Sequence, residues 1–265
     1  MAWIELDGTV NLRDLGGLPT TDGGQIAAGR LLRSDNLDNL SPADVTHLVS
    51  GLGLATVIDL RSPNEIAAAG PGPLTAVPSV RYANFSLLPE SVAVARDPGV
   101  VAAGGDAAIL AARMQRAAAR YPADTRCGLY LGYLEERPAE VTEAVRSIAR
   151  SPGAALVHCA AGKDRTGVVT ALALSVAGTQ RHAVVADYAA SADRIDAILA
   201  RLRAAGAYSP AIDGQPAGEQ TPRPETMDAF LEQVEVRYGG AEQWLADRGF
   251  GLDEAAVLRT RLRAA

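Results

Sequence analysis

Short apolar runs rich in β-branched residues alternate with longer stretches of helical periodicity along this chain of 265 residues. Four of the short runs predict strands, at 29–34, 55–60, 80–85 and 154–157. Caps and helical periodicity predict helices at 42–51, 64–68, 106–120, 127–134, 139–150, 166–177, 180–190, 193–205, 224–238, 241–248 and 253–263. Strands that alternate with helices indicate an α/β fold, with a mostly parallel central sheet flanked by helices.

Two stretches depart from this alternation. Residues 90–126 are rich in alanine and add a helix without adding a strand, which predicts a helical insertion over the core. Residues 206–223 are punctuated by Gly and Pro and predict a linker to a helical C-terminal part. The sequence has no internal repeat, and we expect one domain over residues 1–265.

The stretch that joins the strand at 154–157 to the helix at 166–177 carries the most distinctive chemistry. Its residues are His158-Cys159-Ala160-Ala161-Gly162-Lys163-Asp164-Arg165-Thr166-Gly167. Cys159 lies at the strand end just before a helix N-terminus, and Arg165 follows six positions later. The helix dipole and the guanidinium both favour the thiolate form of the cysteine.

The same stretch is suited to binding a phosphate. Backbone N–H groups between Ala160 and Arg165 can surround an anion, and the Arg165 guanidinium can bind two of its oxygens. Small side chains at Ala160, Ala161 and Gly162 let the backbone approach closely. A nucleophile at the base of an anion cradle suits attack on phosphorus, through a cysteinyl-phosphate intermediate.

Composition excludes several other classes of protein. A net charge of −6 gives no general basic surface for nucleic acid. Two cysteines form no disulfide framework, and no His/Cys spacing predicts a metal site. No uncharged apolar run reaches transmembrane length, and the N-terminus lacks the basic region of a signal peptide. We therefore expect a cytoplasmic protein, or one secreted without a conventional signal peptide; the sequence carries no signal for an oligomeric state.

The motif His158-Cys159-x5-Arg165-Thr166-Gly167 resembles the signature of the cysteine-based protein tyrosine phosphatase superfamily. The full loop is similar to that of the bacterial PtpB-like tyrosine/dual-specificity phosphatase family. Residues 11–17, 29–34 and 59–62 match that family in the same order, so the resemblance spans most of the chain. It implies a phosphomonoester hydrolase that acts on phosphotyrosine proteins and requires no metal or organic cofactor.

The resemblance also implies roles for individual residues. Cys159 is expected to be the nucleophile, and Arg165 to bind the phosphate and stabilise the transition state. Thr166 is expected to hydrogen-bond the sulfur, and His158 to orient the loop without acting as a base. The remaining expected phosphate-binding positions are Ala160, Ala161, Gly162, Lys163 and Gly167. In this family the insertion at 90–126 is expected to be a helical lid over the site.

The general acid is less evident, because most of the superfamily supplies it as an Asp on a separate loop. Neither tryptophan is followed by Pro-Asp, and the stretch 84–87, which corresponds to a Phe-Pro-Asp segment in the related family, has no Asp. Asp164, inside the cradle, is therefore the first candidate, and Asp59, at the end of a predicted strand, is the second. The favoured interpretation of Asp59 remains a structural ion-pair set with Arg61, Arg13 and Asp14.

Lys163, the only lysine in the sequence, widens the range of expected substrates. A lysine in the cradle is also found in some phosphoinositide phosphatases, so phosphoserine/threonine and inositol phospholipids join phosphotyrosine as candidate substrates. Cys127 is expected to be a buried thiol, with a regulatory disulfide to Cys159 as the alternative. A catalytically inactive phosphate-binding module is one alternative function, which retention of both Cys159 and Arg165 disfavours. A rhodanese-like sulfurtransferase is the other, which Thr166-Gly167 and the preceding His158 disfavour.

Overall fold

The fold is built on a six-stranded sheet in the order β1-β2-β3-β6-β4-β5. A computed structural model describes residues 1–88, 105–205 and 217–264. The strands are β1 Ala2–Trp3, β2 Arg13–Asp14, β3 Leu31–Ser34, β4 Leu54–Asp59, β5 Arg81–Asn84 and β6 Ala154–His158. β3, β6, β4 and β5 are mutually parallel, and β1 and β2 add an antiparallel edge. The four predicted strands are confirmed; the two edge strands have two residues each, too few for an alternating pattern.

Register brings the chemically distinctive strand ends together. In β6, whose five residues are all buried, His158 pairs with Ser34 of β3 on one side and with Asp59 of β4 on the other. Because these strands are parallel, their carboxyl ends meet at one edge of the sheet, where sites form in α/β folds. The loop that follows His158 therefore leaves the sheet between the ends of two neighbouring strands.

Helices cover both faces of the sheet, as predicted. They are α1 Pro42–Thr46 (continued by a π-helical turn, His47–Gly51), α2 Pro63–Ala69, α3 Gly105–Arg120, α4 Thr125–Glu136, α5 Pro138–Arg150, α6 Asp164–Val176, α7 Arg181–Ala190, α8 Ile195–Ala204, α9 Ala217–Gln220, α10 Pro224–Tyr238, α11 Ala241–Ala246 and α12 Leu252–Leu262. Short 3-10 turns lie at Pro73–Ala76 and Ser191–Arg194, the second of which replaces the first two residues of the helix predicted at 193–205.

Two predicted stretches near the site differ from the structure. α6 begins at Asp164, two residues before the predicted start, so Asp164 and Arg165 belong to its first turn. The linker predicted at 206–223 contains the short helix α9; residues 206–216 lie outside the described part of the chain. Of the insertion predicted at 90–126, the helix is confirmed as α3, while residues 89–104 also lie outside that part.

Alternating side chains of the central strands divide the core into two layers. Val157 and Ile58 face the larger cluster, which includes α4, α5, α6 and the C-terminal helices. Leu156 and Val57 face a smaller cluster around α1 and the loops near it. This period of two follows from the pleat of a strand, and it holds the sheet between two helical layers. Within the described ranges, no helix combines the length and apolar character needed to cross a bilayer.

Candidate active site

The loop from the end of β6 to the start of α6 is tightly packed against the end of β3. Gly162 has a φ of 68°, in the left-handed region, and a Cβ there would lie 2.2 Å from the carbonyl oxygen of Ser34. Only glycine fits such a position, because any side chain would collide with backbone. Gly162 therefore determines the path of the loop and brings its backbone over the sheet edge.

Cys159 starts this loop and is almost enclosed, with 2% of its surface exposed. Among the described residues, no backbone N–H between Ala160 and Arg165 has a protein acceptor. The carbonyls of 160–163 are all engaged: Ala160 by Asn36, Ala161 by Asn11, and both Gly162 and Lys163 by Arg33. A loop with its carbonyls bound and its N–H groups unpaired is an anion-binding nest.

Arg165 is held in a two-point contact by Glu65. Its Nη1 lies 2.5 Å from Glu65 Oε2 and its Nη2 lies 2.7 Å from Oε1, while Nη1 also reaches the carbonyl of Leu60 at 3.3 Å. Burial lowers the pKa of Arg165, but the Glu65 carboxylate outweighs burial and raises the pKa well above its ordinary value. The guanidinium is thus fixed beside the loop as a permanent cation.

Sequence reasoning did not identify Glu65. Its position is nevertheless explicable, because Glu65 is the N3 residue of a capping box that begins α2, and its Oε2 accepts from the N–H of Ser62 at 2.7 Å. The Ser-Pro-x-Glu pattern could have indicated the cap. It could not have indicated Arg165, which is 100 residues away in the chain.

Asp164 lies in a cluster of cations and phenols. Its Oδ1 accepts from Arg126 at 3.1 Å and from the hydroxyl of Tyr130 at 2.5 Å, and Oδ2 lies 3.6 Å from Lys163 Nζ. Tyr130 in turn shares a 2.7 Å hydrogen bond with Tyr188. Burial favours the protonated acid, but the charges of Lys163 and Arg126 outweigh it and lower the pKa of Asp164 to about 2. In the free protein Asp164 is therefore a carboxylate.

Lys163 is buried and turned toward the chain segment at α9. Its Nζ donates to the backbone carbonyl of Gln220 and, at 3.1 Å, to the Gln220 side-chain oxygen. Arg126 donates to the carbonyls of Glu219 and Gln220 as well, so two cations of the site anchor the same short segment. Burial lowers the pKa of Lys163, an effect that the neighbouring Asp164 carboxylate opposes.

One of the predicted loop contacts differs in the structure, and a second, at Gly167, stays a prediction. The hydroxyl of Thr166 is buried and has no hydrogen-bond partner among the described residues, so the expected bond to the Cys159 sulfur is not made. Gly167, expected to bind phosphate, packs against Tyr188, where a Cβ would lie 2.9 Å from the ring.

His158 and Asp59 form a buried layer beneath the loop. His158 Nδ1 lies 3.3 Å from the Cys159 carbonyl, and Nε2 lies 3.7 Å from Asp59 Oδ2. Asp59 accepts from Arg61 Nη2 at 2.8 Å and from the hydroxyl of Tyr82. Burial raises the pKa of Asp59, but His158 and Arg61 outweigh burial and lower it to about 2. The Asp59 side chain is fully buried and bonded to Arg61 and Tyr82, whereas the Asp164 side chain is 24% exposed. This enclosure supports the favoured interpretation of Asp59 as a structural residue.

The expected single ion-pair set is wrong in its membership, because the structure divides it. Asp59 pairs with Arg61, which also reaches Asp38 at 2.6 Å. Arg13 pairs with Asp187, and Asp14 pairs with neither arginine but accepts the N–H groups of Gly16 and Gly29. The division follows from the topology: β2 and β4 are separated in the sheet by β3 and β6.

His158 predicts a specific pH dependence of stability. Burial lowers its pKa to about 4, with Arg61 and Arg165 acting in the same direction and Asp59 opposing them. The unfolded chain therefore binds a proton below about pH 6.5 that the folded protein does not, and stability falls as pH falls from 6.5 to 4. We expect urea unfolding to show His158→Asn losing about 3 kcal/mol less than wild type between pH 7 and pH 4. Parallel pH profiles for the two proteins would contradict a neutral buried histidine.

The second cysteine takes no part in a disulfide in this structure. Cys127 and Cys159 are both free thiols. Burial raises the pKa of Cys127 to about 11, which keeps it protonated and unreactive, as expected of a buried thiol. In the described ranges no group of three His, Cys, Asp or Glu side chains is arranged to hold a metal ion.

Comparisons with known proteins agree with one another across the chain. A family model described as the tyrosine phosphatase family matches residues 4–264. The chain is 30% identical to the triple specificity protein phosphatase PtpB of Mycobacterium tuberculosis, over an alignment that covers 98% of each chain. It is 29% identical to a tyrosine-protein phosphatase of Nostoc commune, over 89% of this chain and 75% of the relative.

Proposed function

Because the chain belongs to the tyrosine phosphatase family, we propose that it hydrolyses phosphomonoesters at Cys159 through a cysteinyl-phosphate intermediate. The observation that carries the proposal is the nest around the cysteine. The N–H groups between Ala160 and Arg165 have no acceptor in the described protein, and the Arg165 guanidinium is fixed beside them by Glu65. Donors held in place for three phosphate oxygens stabilise the charge of a phosphoryl group in transit.

The proposed reaction has two steps. In the first, the Cys159 thiolate attacks phosphorus and the bond from phosphorus to the leaving oxygen breaks, while a proton is delivered to that oxygen. In the second, water attacks phosphorus, the S–P bond breaks and the water's proton passes to a base. Inorganic phosphate leaves, and the Cys159 thiolate is regenerated. Arg165 binds two phosphoryl oxygens in both steps. Neither proposed step uses a metal or an organic cofactor.

Asp164 is our proposed donor in the first step and acceptor in the second. In the free protein it is ionised, so the proposal requires that the phosphate dianion, bound in the same loop, raises its pKa and competes with it for Arg126 and Lys163. Residues 85–88, the described stretch after β5, include no carboxyl, and Asn84 at the end of β5 donates to the carbonyls of Asp59 and Arg61.

Leaving-group dependence tests this role. A poor leaving group needs a proton and a good one does not, so we expect Asp164→Asn to lower kcat on phenyl phosphate about 10²- to 10⁴-fold, and on p-nitrophenyl phosphate far less. The matched control is Arg126→Gln, which removes a partner of Asp164 but keeps the carboxyl, and should lower both rates by the same factor. An Asp164→Asn loss that is equal on the two esters would identify Asp164 as an anchor for Arg126 and not as the acid.

For the substrate, we propose phosphotyrosine proteins, with phosphoserine/threonine proteins and phosphoinositides as further classes. The support for phosphoinositides is Lys163, a residue of the cradle loop whose ammonium donates to two neutral oxygens of Gln220 and lies 3.6 Å from Asp164 Oδ2. An additional phosphate on the substrate would be a stronger, charged acceptor for the same ammonium. Release of phosphate from phosphotyrosine, phosphoserine/threonine and phosphoinositide substrates by the wild-type protein tests the range. No release from any of the three classes would contradict the proposed function.

Lys163→Met separates these classes, because methionine keeps most of the buried volume and removes the charge. We expect kcat/KM to fall about tenfold more on phosphoinositides that carry several phosphates than on a phosphotyrosine peptide, since a hydrogen bond between charged groups is lost only there. Equal kcat/KM values for Lys163→Met and wild type on every phosphoinositide would remove Lys163 from substrate selection.

A further inference from the structure

A pair of buried arginines shares one carboxylate behind the cradle loop. Arg13 Nε donates to Asp187 Oδ1 at 2.8 Å, and Arg33 Nη1 donates to Asp187 Oδ2 at 2.6 Å. All three side chains are at most 2% exposed. They come from three separate elements, β2, β3 and α7, so no local sequence pattern joins them.

The two arginines connect Asp187 to the outer side of the loop. Arg33 Nη2 donates to the carbonyls of Gly162 at 2.7 Å and Lys163 at 3.2 Å. Arg13 Nη1 donates to Asn11 Oδ1 at 2.6 Å. Asn11 in turn donates through its Nδ2 to the next carbonyl back along the loop, that of residue 161, at 2.9 Å. Three consecutive carbonyls of the loop are thus held by one network.

Charge makes the carboxylate essential to this network. Two guanidiniums repel each other when they are buried together, and Asp187 is the acceptor bonded to both of them. Burial and the neighbouring Arg33 lower the pKa of Arg13 to about 10, against the opposing effect of Asp187 and Asp193, so Arg13 stays charged at neutral pH. Burial raises the pKa of Asp187, but the two arginines outweigh burial and lower it.

We propose that Asp187 is a positioning residue for the phosphate cradle: by fixing Arg13 and Arg33 it holds the carbonyls of residues 161–163 on the outer side of the loop. The N–H groups of the loop then remain available to the oxygens of a phosphate. Among the described residues the Asp187 carboxylate bonds only to these arginines, so we expect it to act entirely through the loop. This inference rests on the proposed function, because it assigns the loop the task of binding a phosphoryl group.

Binding of an oxyanion measures the cradle without requiring turnover. Tungstate is a tetrahedral dianion of phosphate shape, and its Kd for the full-length protein can be determined by calorimetry. We expect Asp187→Asn, which keeps the side-chain shape and removes the charge, to raise the Kd at least about tenfold. Asp187→Glu, which restores the charge, should recover part of the affinity. The kcat/KM on p-nitrophenyl phosphate should fall in proportion to the loss of tungstate affinity.

A matched control separates positioning from stability. Asp44 is also buried, accepts from Gly8 and Ser41, and makes no contact with the cradle. Asp44→Asn should therefore lower the Tm and leave the tungstate Kd unchanged. If Asp187→Asn does not fold, Asn11→Ala replaces it, since that variant removes the bond to residue 161 and leaves Asp187 paired with Arg33. It should raise the Kd about threefold or more.

The outcomes are distinguishable. A tungstate Kd unchanged in Asp187→Asn, or in Asn11→Ala where that variant is used, overturns the positioning role alone. Wild-type protein that binds tungstate without hydrolysing phosphoesters overturns the proposed function and leaves the positioning role standing. Wild-type protein that does not bind tungstate overturns both.

Discussion

Cys159→Ser is expected to lower kcat on p-nitrophenyl phosphate by at least about 10⁴-fold, because the variant loses the nucleophile of the proposed covalent intermediate. A serine hydroxyl is not ionised at neutral pH, and His158 cannot activate it, because its Nδ1 contacts the carbonyl of residue 159 and not the side chain. The anion nest does not depend on the sulfur, so tungstate binding should persist in the variant. Loss of turnover with binding retained is the pattern expected when chemistry alone is removed.

The other cysteine provides the matched control for this replacement. Cys127 is buried in α4 as a free thiol, and Cys127→Ser should change kcat by less than about twofold while lowering the Tm slightly, since a hydroxyl is buried there in place of sulfur. Turnover by Cys159→Ser at the wild-type rate would contradict the covalent mechanism. Equal losses in the two variants would mean that the assay reports folding and not chemistry.

Glu65→Gln is expected to lower kcat about 10²-fold, although Glu65 is not proposed to touch the substrate. The carboxylate holds both terminal nitrogens of Arg165. A neutral amide offers one acceptor oxygen, so the guanidinium is held less firmly when the transition state requires it. Glutamine retains an acceptor for the N–H of Ser62, which preserves the capping box and confines the change to the contact with Arg165.

A second arginine–glutamate pair, outside the candidate site, provides the control for Glu65→Gln. Arg146 binds both carboxylate oxygens of Glu254, through Nε at 2.8 Å and Nη2 at 3.0 Å, with no part in the candidate site. Glu254→Gln should therefore leave kcat within about twofold of wild type.

Arg165→Lys should lower kcat about 10³-fold, and adding Glu65→Gln to this variant should lower kcat little further, because the two residues act as a unit. Full additivity of the two losses would contradict the coupling.

The alternation of short β-branched runs with amphipathic segments was sufficient to predict the α/β class, four strands and the order of the helices. It was sufficient because burial imposes a period of two on strands and about 3.6 on helices, and both periods are local. The edge strands β1 and β2 were missed since two residues cannot show a period. The start of α6 was placed two residues late because the polar residues Asp164 and Arg165 conceal the helical pattern.

The candidate site also has a part that the sequence predicts and a part that only the fold determines. Its nucleophile, its arginine and the glycine that permits the close approach are contiguous in the chain, so the sequence alone determined the loop and the chemistry that it suits. The partners that orient the loop are distant in sequence. Glu65, Asp187, Arg33 and Asn11 reach it only because β3 and β4 flank β6 and α7 packs behind the loop.

Tertiary structure also decided what the single lysine and the loop aspartate contact. From the sequence, Lys163 and Asp164 are two adjacent charges in a cradle. In the fold Lys163 binds Gln220, and Asp164 binds Arg126 and Tyr130. Burial raises the pKa of Asp164, but the charges of Lys163 and Arg126 lower it to about 2. A pKa depends on the distance of every nearby charge and on burial, and neither is encoded by local spacing. The sequence therefore determined which groups can react, and the tertiary structure determined the state in which each is held.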